Sequence, residues 1–332
     1  EILNRLADKV DLQISTLKTS EAKFFVKLSF MSPKDVTIRT SNIQTIANLH
    51  KQLDNLITEL NGNRKISLSS YAVTRTWLNA LYQSIGVYSG KQAIETMIQS
   101  YRINEELNES LQVEEYFPNT QLVIRPWMKI RPGFEFRVFV SAKKVTCLSQ
   151  YESVYYPELW AERRVLFPRI YAFVSDQVIP RLETRLPSFV VDIVCTEDGS
   201  LYVCELNPFA SSSSACLFTW SADRERMMIG PMQGRVVPPP QLKSAEIEIV
   251  KSDDRTLRYC LVPLQPNTSA QPDRIVKDYG TDSYGLRLSE EWRSIIENYW
   301  KQNCPSTWNP LASAAMVSLC AIGAYVVWRL NN

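Results

Sequence analysis

Histidine is almost absent from this 332-residue chain, which contains one, His50. A single histidine excludes zinc sites built from several histidines and argues against Ser-His-Asp and Cys-His mechanisms. Glycine is also scarce, at 10 residues, and neither G-x-x-x-x-G-K-[ST] nor G-x-G-x-x-G occurs. The chain therefore lacks the P-loop and the glycine-rich turn of dinucleotide-binding proteins.

Cysteine pairs and a strong charge excess are missing as well. The seven cysteines are scattered, odd in number and without a C-x-x-C pair, so neither a zinc cluster nor a disulfide framework is expected. This pattern favours a reducing compartment. A formal net charge of +2 is too small to indicate a nucleic-acid partner, and the first 30 residues hold no long apolar run that would form a secretory signal.

The spacing of apolar residues predicts helices mixed with antiparallel strands, that is, an α+β fold with antiparallel sheets. We expect helices over residues 1–18, 41–60, 90–112, 160–182 (with Pro168 as a break or start) and from Ser289 onward. We expect strands over residues 24–28, 121–127, 135–141, 145–151, 246–251 and 257–263. A further hairpin covers residues 189–206.

This hairpin carries the most specific signal. Asp198-Gly199 lies between two apolar runs and favours the turn of a two-residue β-hairpin. If that turn closes the loop, Asp192 lies opposite Glu205. Because side chains alternate along a strand, Asn207 shares the face of Glu205.

Two acids directly opposite one another on one sheet face have two interpretations. They repel, and a hard cation between them removes that cost, since Asp, Glu and Asn supply the oxygen ligands that Mg²⁺ prefers. The alternative is a solvated face that carries two acids. The apolar neighbours predicted on the same face, Val190, Val194 and Val203, favour the metal.

Two cations lie within apolar strands elsewhere. Lys27 is in the middle of Phe24–Leu28, where an ammonium needs a partner, either a phosphate or an acidic neighbour. Arg125 lies between apolar residues in Leu122–Trp127, next to an indole. Both are candidate phosphate ligands.

Glu135 and Arg137 are two residues apart on one predicted strand and therefore share a face. If Ala142-Lys143 forms the following turn, Gln150 lies opposite Glu135. A structural Arg–carboxylate pair would satisfy these residues. A phosphate with Mg²⁺ is the other interpretation, because Lys27, Arg125 and Arg137 supply cations for it.

The last part of the sequence has a different character. Residues 302–328 contain no charge, and Leu311–Trp328 is a run of 18 mostly apolar positions. As a helix this run would be ~27 Å long, enough for a thin bilayer. Trp308 and Trp328 flank it like interfacial anchors. We expect a tail anchor that holds the protein on the cytosolic face of a membrane, with a docked core helix as the alternative.

An ordered set of motifs resembles the cell division cycle protein 123 family, a eukaryotic branch of the ATP-grasp fold. The matching pieces are FVKLSFMSPKDV (25–36), SYRINEEL (100–107), LVIRPWMKIRPGFEFRVFV (122–140), LSQY (148–151), FVVDIV with LYVCELNPF (189–209) and LFTW (217–220). Each piece is weak alone, but their order and spacing extend over two-thirds of the chain.

The resemblance implies ATP held between two lobes. Lys27 and Arg137 would contact phosphates, and Asp192, Glu205 and Asn207 would coordinate Mg²⁺. The remaining predicted ATP-site residues are Leu122, Val123, Ile124 and Arg125 on the adenine side, with Glu135 and Gln150. The family acts as an ATP-dependent assembly chaperone for translation initiation factor 2 and binds its gamma subunit.

These observations predict a two-lobed ATP-grasp-like domain over residues 1–229. A connector with a strand pair would follow over 230–288, then an amphipathic helix over 289–303 and the anchor over 311–328. The first functional hypothesis is an ATP- and Mg²⁺-binding assembly chaperone, tethered to a membrane. The alternatives are an ATP-grasp ligase that forms an acyl phosphate and a nucleotide-free, tail-anchored adaptor.

Overall fold

The computed structural model describes residues 1–17, 22–29, 31–39, 41–61, 70–112, 120–182, 184–239, 246–253, 256–263 and 290–303. The α-helices in these ranges are α1 (Ile2–Thr16), α2 (Asp35–Ile38), α3 (Ile43–Asn61), α4 (Ser70–Ser84), α5 (Gly90–Gln99), α6 (Tyr101–Leu111), α7 (Pro157–Phe173), α8 (Ile179–Leu182), α9 (Arg224–Ile229) and α10 (Glu290–Asn303), and a π-helical segment (Val174–Val178) joins α7 to α8. The strands are β1 (Phe24–Leu28), β2 (Leu122–Pro126), β3 (Ile130–Ser141), β4 (Lys144–Gln150), β5 (Phe189–Thr196), β6 (Leu201–Asn207), β7 (Gln233–Arg235), β8 (Glu246–Asp253) and β9 (Thr256–Pro263).

The described residues fall into two compact units, residues 1–128 with α10, and residues 129–263. The first is mainly helical and contains the antiparallel pair β1–β2. Its core packs the apolar faces of α1, α5 and α6 against β1, around Val10, Val26, Ile94 and Ile103. Burial of these faces, more than helix propensity, holds such short helices in place.

The helix α10 belongs to the first unit although its sequence lies beyond the second. The indole of Trp292 donates a 2.7 Å hydrogen bond to the carbonyl of Ile38, and Trp300 packs with Leu56 and Ile57 of α3. The Tyr299 ring stacks on His50 at 4.2 Å. The single histidine of the sequence is therefore a helix residue in an aromatic contact.

The second unit is built on a seven-stranded sheet in the order β6-β5-β3-β4-β7-β8-β9. Neighbours pair antiparallel except β4 and β7, which are parallel. One face packs on α7, where the rings of Phe136 and Phe167 meet edge to face at 5.9 Å. The other face carries the charged residues described below.

The α+β prediction is confirmed, as is the predicted strand pair within 246–263. Two local predictions are wrong. Residues 90–112 form two helices, because the Ser100 hydroxyl accepts from the amide of Ile103 and so begins a new helix. Pro168 lies inside α7, where burial of Phe167 and Ile170 compensates for the one backbone hydrogen bond that proline removes. The sequence reading also missed α4.

The apolar run 311–328 lies outside the described residues, so the predicted C-terminal helix is not tested. Within the ranges that the structure describes, no helix is both long enough and apolar enough to cross a bilayer.

Candidate functional site

In the first unit, Lys27 and Arg125 lie on one face of the β1–β2 pair. Lys27 is opposite Val123 and Arg125 is opposite Phe25, which makes the two cations diagonal neighbours on that face. The other face, with Leu122 and Ile124, packs into the core. Lys27 is buried and Arg125 is exposed.

The register of the hairpin β5–β6 matches the prediction at the two acids and at Asn207. Asp192 lies opposite Glu205, and Asn207 lies opposite Val190, so all four share one face. A bulge at Cys204 then shifts the pairing by one residue. The prediction that Val203 shares this face is therefore wrong. It pairs with Ile193 on the other side of the sheet.

The neighbouring strand β3 places Arg137 directly opposite Asp192. Nε and Nη2 of Arg137 donate 2.8 Å hydrogen bonds to Oδ1 and Oδ2 of Asp192, a bidentate pair that is 4% and 2% exposed. Burial alone would lower the pKa of the guanidinium. The hydrogen bonds and negative charge of Asp192 outweigh this, and the pKa of Arg137 is raised above its usual value.

The third nitrogen of this guanidinium, Nη1, donates a 2.8 Å hydrogen bond to the carbonyl of Ser214. Arg137 therefore acts here as the partner of Asp192, whereas the structural pair considered from the sequence joined Arg137 to Glu135. Its predicted contact with a phosphate stays a prediction.

The oxygens at the hairpin are compatible with a hard cation. Asn207 Nδ2 donates to Asp192 Oδ2 at 3.1 Å, which brings two of the three predicted metal ligands into contact. A carboxylate has about four acceptor sites, and Asp192 uses three of them for Arg137 and Asn207. A metal bound to Asp192, beside the half-buried Glu205, would therefore share these oxygens with the Arg137 and Asn207 donors. No group of three or more His, Cys, Asp or Glu residues suited to a metal occurs in the described part of the chain.

Gln150 does not face Glu135. A bulge at Thr146 shifts the β3–β4 register, so that Gln150 lies opposite Phe136. Its amide is fully used there. Nε2 donates to the carbonyls of Glu152 and Val154, both at 2.6 Å, and Oε1 accepts from the amide of Val237 at 3.0 Å. Gln150 thus binds backbone groups of residues 152, 154 and 237, on the sheet face opposite the Arg137–Asp192 pair.

Glu135 does share the face of Arg137, as predicted, and it lies opposite Val194 on β5. It is half-buried. The structure thus brings together five of the predicted site residues in the second unit, namely Glu135, Arg137, Asp192, Glu205 and Asn207.

The sequence reading missed a second charged pair on the same sheet face. Both guanidinium Nη atoms of Arg235 in β7 donate to the Asp223 carboxylate, at 2.6 and 2.8 Å. Ser149 lies between the two pairs, opposite Arg137 on one side and Arg235 on the other. No local signal identifies this arrangement, because the three residues come from three separate parts of the chain.

A family model described as D123 matches residues 39–259. Among curated relatives, the translation initiation factor eIF2 assembly protein of Candida albicans is 37% identical over 102 residues, which is 30% of this chain and 29% of that protein. Cell division cycle protein 123 of Candida glabrata is 33% identical over 122 residues, 36% of this chain and 34% of that one. These matches span about a third of the relatives' own length.

A longer and weaker match is the eIF2 assembly protein of Sclerotinia sclerotiorum, 21% identical over 79% of this chain and 71% of that protein. Among solved structures, Cdc123 from Schizosaccharomyces pombe has a TM-score of 0.45 at 19% identity, covering 70% of this chain and 78% of the other. The motifs that suggested a resemblance lie largely inside the region that the family model matches. Since that region is well over half of the sequence, the chain belongs to the D123 family.

Proposed function

We propose that this protein is an assembly chaperone for translation initiation factor eIF2 that binds ATP together with Mg²⁺. Membership of the D123 family and relatives named eIF2 assembly proteins support the chaperone role. The observation that carries the nucleotide role is the register of the hairpin β5–β6. It places Glu205 opposite Asp192, and the side chain of Asn207 donates a hydrogen bond to Asp192.

Asp192, Glu205 and Asn207 are the residues that would hold Mg²⁺. The ion would neutralise phosphate charge and orient the phosphates. Lys27 and Arg125 are the proposed phosphate ligands of the first unit, since two cations on one face of a strand pair suit an anion. Leu122, Val123 and Ile124 would lie on the adenine side.

The proposed partner is eIF2, through its gamma subunit. In this role ATP is a ligand that stabilises the conformation of the chaperone competent to bind its client, and turnover is not required. A ligand that acts in this way shifts the conformational equilibrium by its differential affinity for the two states.

The nucleotide role is tested by thermal unfolding with and without Mg²⁺ and ATP. Glu205→Gln is the informative variant, because Glu205 is half-buried and lies beside the Arg137–Asp192 pair without belonging to its bidentate hydrogen bonds. We expect Mg²⁺ with ATP to raise Tm in the native chain and to raise it less in Glu205→Gln. The control Glu95→Gln removes a carboxylate from an exposed i,i+4 pair on α5 and should behave like the native chain. An unchanged Tm of the native chain would contradict the nucleotide role.

The chaperone role is tested by capture of the purified eIF2 gamma subunit on the immobilised chain, with and without Mg²⁺ and ATP. Retention that increases with nucleotide is the expected result. No retention under either condition would refute the partnership. Release of ADP with a phosphorylated or ligated product would instead favour an ATP-grasp ligase.

We also propose that residues 311–328 tether the protein to the cytosolic face of a membrane, on the strength of their charge-free apolar sequence between Trp308 and Trp328. Carbonate extraction of the full chain and of a chain that ends at residue 310 is the test. Retention of only the full chain in the membrane pellet is expected, and equal extraction of both would rule out the anchor.

A further inference from the structure

Five charged or polar residues form one row across the sheet of the second unit. The strand registers place Glu205, Asp192, Arg137, Ser149 and Arg235 side by side on neighbouring strands. The row therefore runs from the proposed cation site at one end to the Arg235–Asp223 pair at the other. The middle of this row is buried.

The segment that follows β6, residues 208–223, is called here the cover segment. Side chains of the row form hydrogen bonds with its backbone. Arg137 Nη1 donates to the carbonyl of Ser214, and Arg235 Nη1 donates to the carbonyl of Leu217, both at 2.8 Å. The amide of Leu217 donates to Ser149 Oγ at 3.0 Å. Each buried arginine thus holds one aspartate and one carbonyl of the cover segment.

Apolar contacts hold the same segment down at its two ends. The rings of Phe209, Phe218 and Trp220 surround Phe139 of β3 at centroid distances of 5.9 to 6.5 Å. Between these anchors, Arg137 donates to the carbonyl of Ser214, while the neighbouring Ser213 is held by the indole of Trp220, which donates to its carbonyl at 2.6 Å, and Ala215 is buried in the same apolar cluster. This makes the Ser214 region the part of the cover segment most sensitive to where the Arg137 guanidinium points.

We propose that Arg137 is a positioning residue that couples occupancy of the cation site to the state of the cover segment. This rests on the proposed function, since it takes Asp192 as a ligand of Mg²⁺. A divalent cation at Asp192 repels the guanidinium and competes for the same carboxylate oxygens. Arg137 then gives up its bidentate position, and the carbonyl of Ser214 loses its donor. Binding at the sheet is thereby transmitted to the surface segment above it.

The Arg235–Asp223 pair provides an internal control. It has the same chemistry and also holds a cover-segment carbonyl, but it lies at the opposite end of the row from the hairpin acids. A general loosening of the unit would affect both pairs. The proposed coupling affects only residues around Ser214.

Amide hydrogen exchange of the full chain, measured by mass spectrometry, tests the coupling, with Mg²⁺ and ATP as the probe and ATP with EDTA as the reference. We expect amides of residues 213–216 to exchange about tenfold faster with Mg²⁺ and ATP, because release of the Ser214 carbonyl lowers the free energy of local opening by about that of one net hydrogen bond. Exchange around Arg235 should not change. Binding is followed in parallel by calorimetry.

The outcomes separate the two proposals. Binding of Mg²⁺ and ATP with unchanged or slower exchange at 213–216 overturns the coupling and leaves the nucleotide role intact. Absence of binding overturns the nucleotide role, and the coupling with it.

Arg137→Lys and Arg235→Lys make a matched pair of variants. Lysine keeps the charge but lacks the planar fork, so it cannot hold an aspartate and a carbonyl at the same time. Arg137→Lys should show fast exchange at 213–216 already in the reference and no response to Mg²⁺ and ATP. Arg235→Lys should keep the response. A native-like response in Arg137→Lys would overturn the role assigned to Arg137.

Discussion

Arg137 and Asp192 are almost inaccessible to solvent. Water therefore cannot solvate the charge of one residue when the other is replaced. We expect Asp192→Asn to lower the free energy of unfolding by about 3 kcal/mol, because it leaves a buried guanidinium without a counter-charge. Replacing both residues, Arg137→Met with Asp192→Leu, should cost less than the sum of the two single changes. Urea denaturation of the native chain, Asp192→Asn, Arg137→Met, Asp192→Leu and the double variant measures this, and a loss below about 1 kcal/mol in Asp192→Asn would contradict it.

Cys147 gives the protein a dependence on alkaline pH. Burial raises the pKa of its thiol from 9.0 to about 12, so the folded state keeps a proton that the unfolded state releases above pH 9. Its contribution to stability is complete below pH 9 and is lost as the pH rises towards 12. We expect the free energy of unfolding to fall between these values by up to about 1.4 kcal/mol per pH unit from this thiol.

Urea denaturation at pH 8 and pH 10 measures this slope, and Cys147→Ala should reduce it. Cys216, whose thiol pKa is also raised by burial to about 12, continues to contribute in that variant. Alkylation provides an independent check. At pH 8 the folded chain should react at the half-buried Cys204 before the fully buried Cys147. Early labelling of Cys147 would show that its burial is incomplete.

Among the elements, strand β3 and the loop between β5 and β6 each depend on a glycine, at Gly133 and Gly199, for reasons that can be separated. Gly133 and Gly199 have φ of +78° and +82°. A Cβ on Gly133 would lie 2.4 Å from the Tyr156 ring, whereas a Cβ on Gly199 would meet nothing within 4 Å. Gly199→Ala should therefore cost about 1 kcal/mol in backbone strain alone, and Gly133→Ala at least about 1 kcal/mol more. Equal losses of stability in denaturant would disprove the steric part.

The elements also show why some predictions failed. Alternation along a strand is local, and it gave the shared face of Glu205 and Asn207. The predicted two-residue turn is wrong, because the loop contains three residues, 197–199, and the amide of Thr196 donates to the carbonyl of Ser200 at 3.0 Å. Asp192 still pairs with Glu205, since the bulge at Cys204 offsets the extra loop residue. The bulges at Thr146 and Cys204 each insert one residue and reverse the face of everything beyond them. Gln150 and Val203 were misplaced for this reason. Nothing in the flanking residues marks either bulge.

In the molecule as a whole, the first unit depends on a helix that is distant in sequence. Trp292 and Trp300 of α10 are each 1% exposed. Trp292 Nε1 donates to the carbonyl of Ile38, whereas Trp300 Nε1 has no hydrogen-bond partner among the described residues. Trp292→Phe leaves that carbonyl without its donor and should destabilise the protein by about 1 kcal/mol more than Trp300→Phe. Thermal or urea unfolding compares the two, and equal effects would contradict a contribution from the hydrogen bond.

The sequence by itself determined the α+β class, the strand pairs β5–β6 and β8–β9, and the shared face of Asp192, Glu205 and Asn207. Each of these follows from the side-chain period and the turn chemistry of a continuous stretch. Only the tertiary structure decided that Arg137 binds Asp192 and that Arg235 and Ser149 complete the row beneath the cover segment. These contacts join strands far apart in the chain. Strand order and burial select the partners in these contacts, and neither can be read from a local sequence pattern.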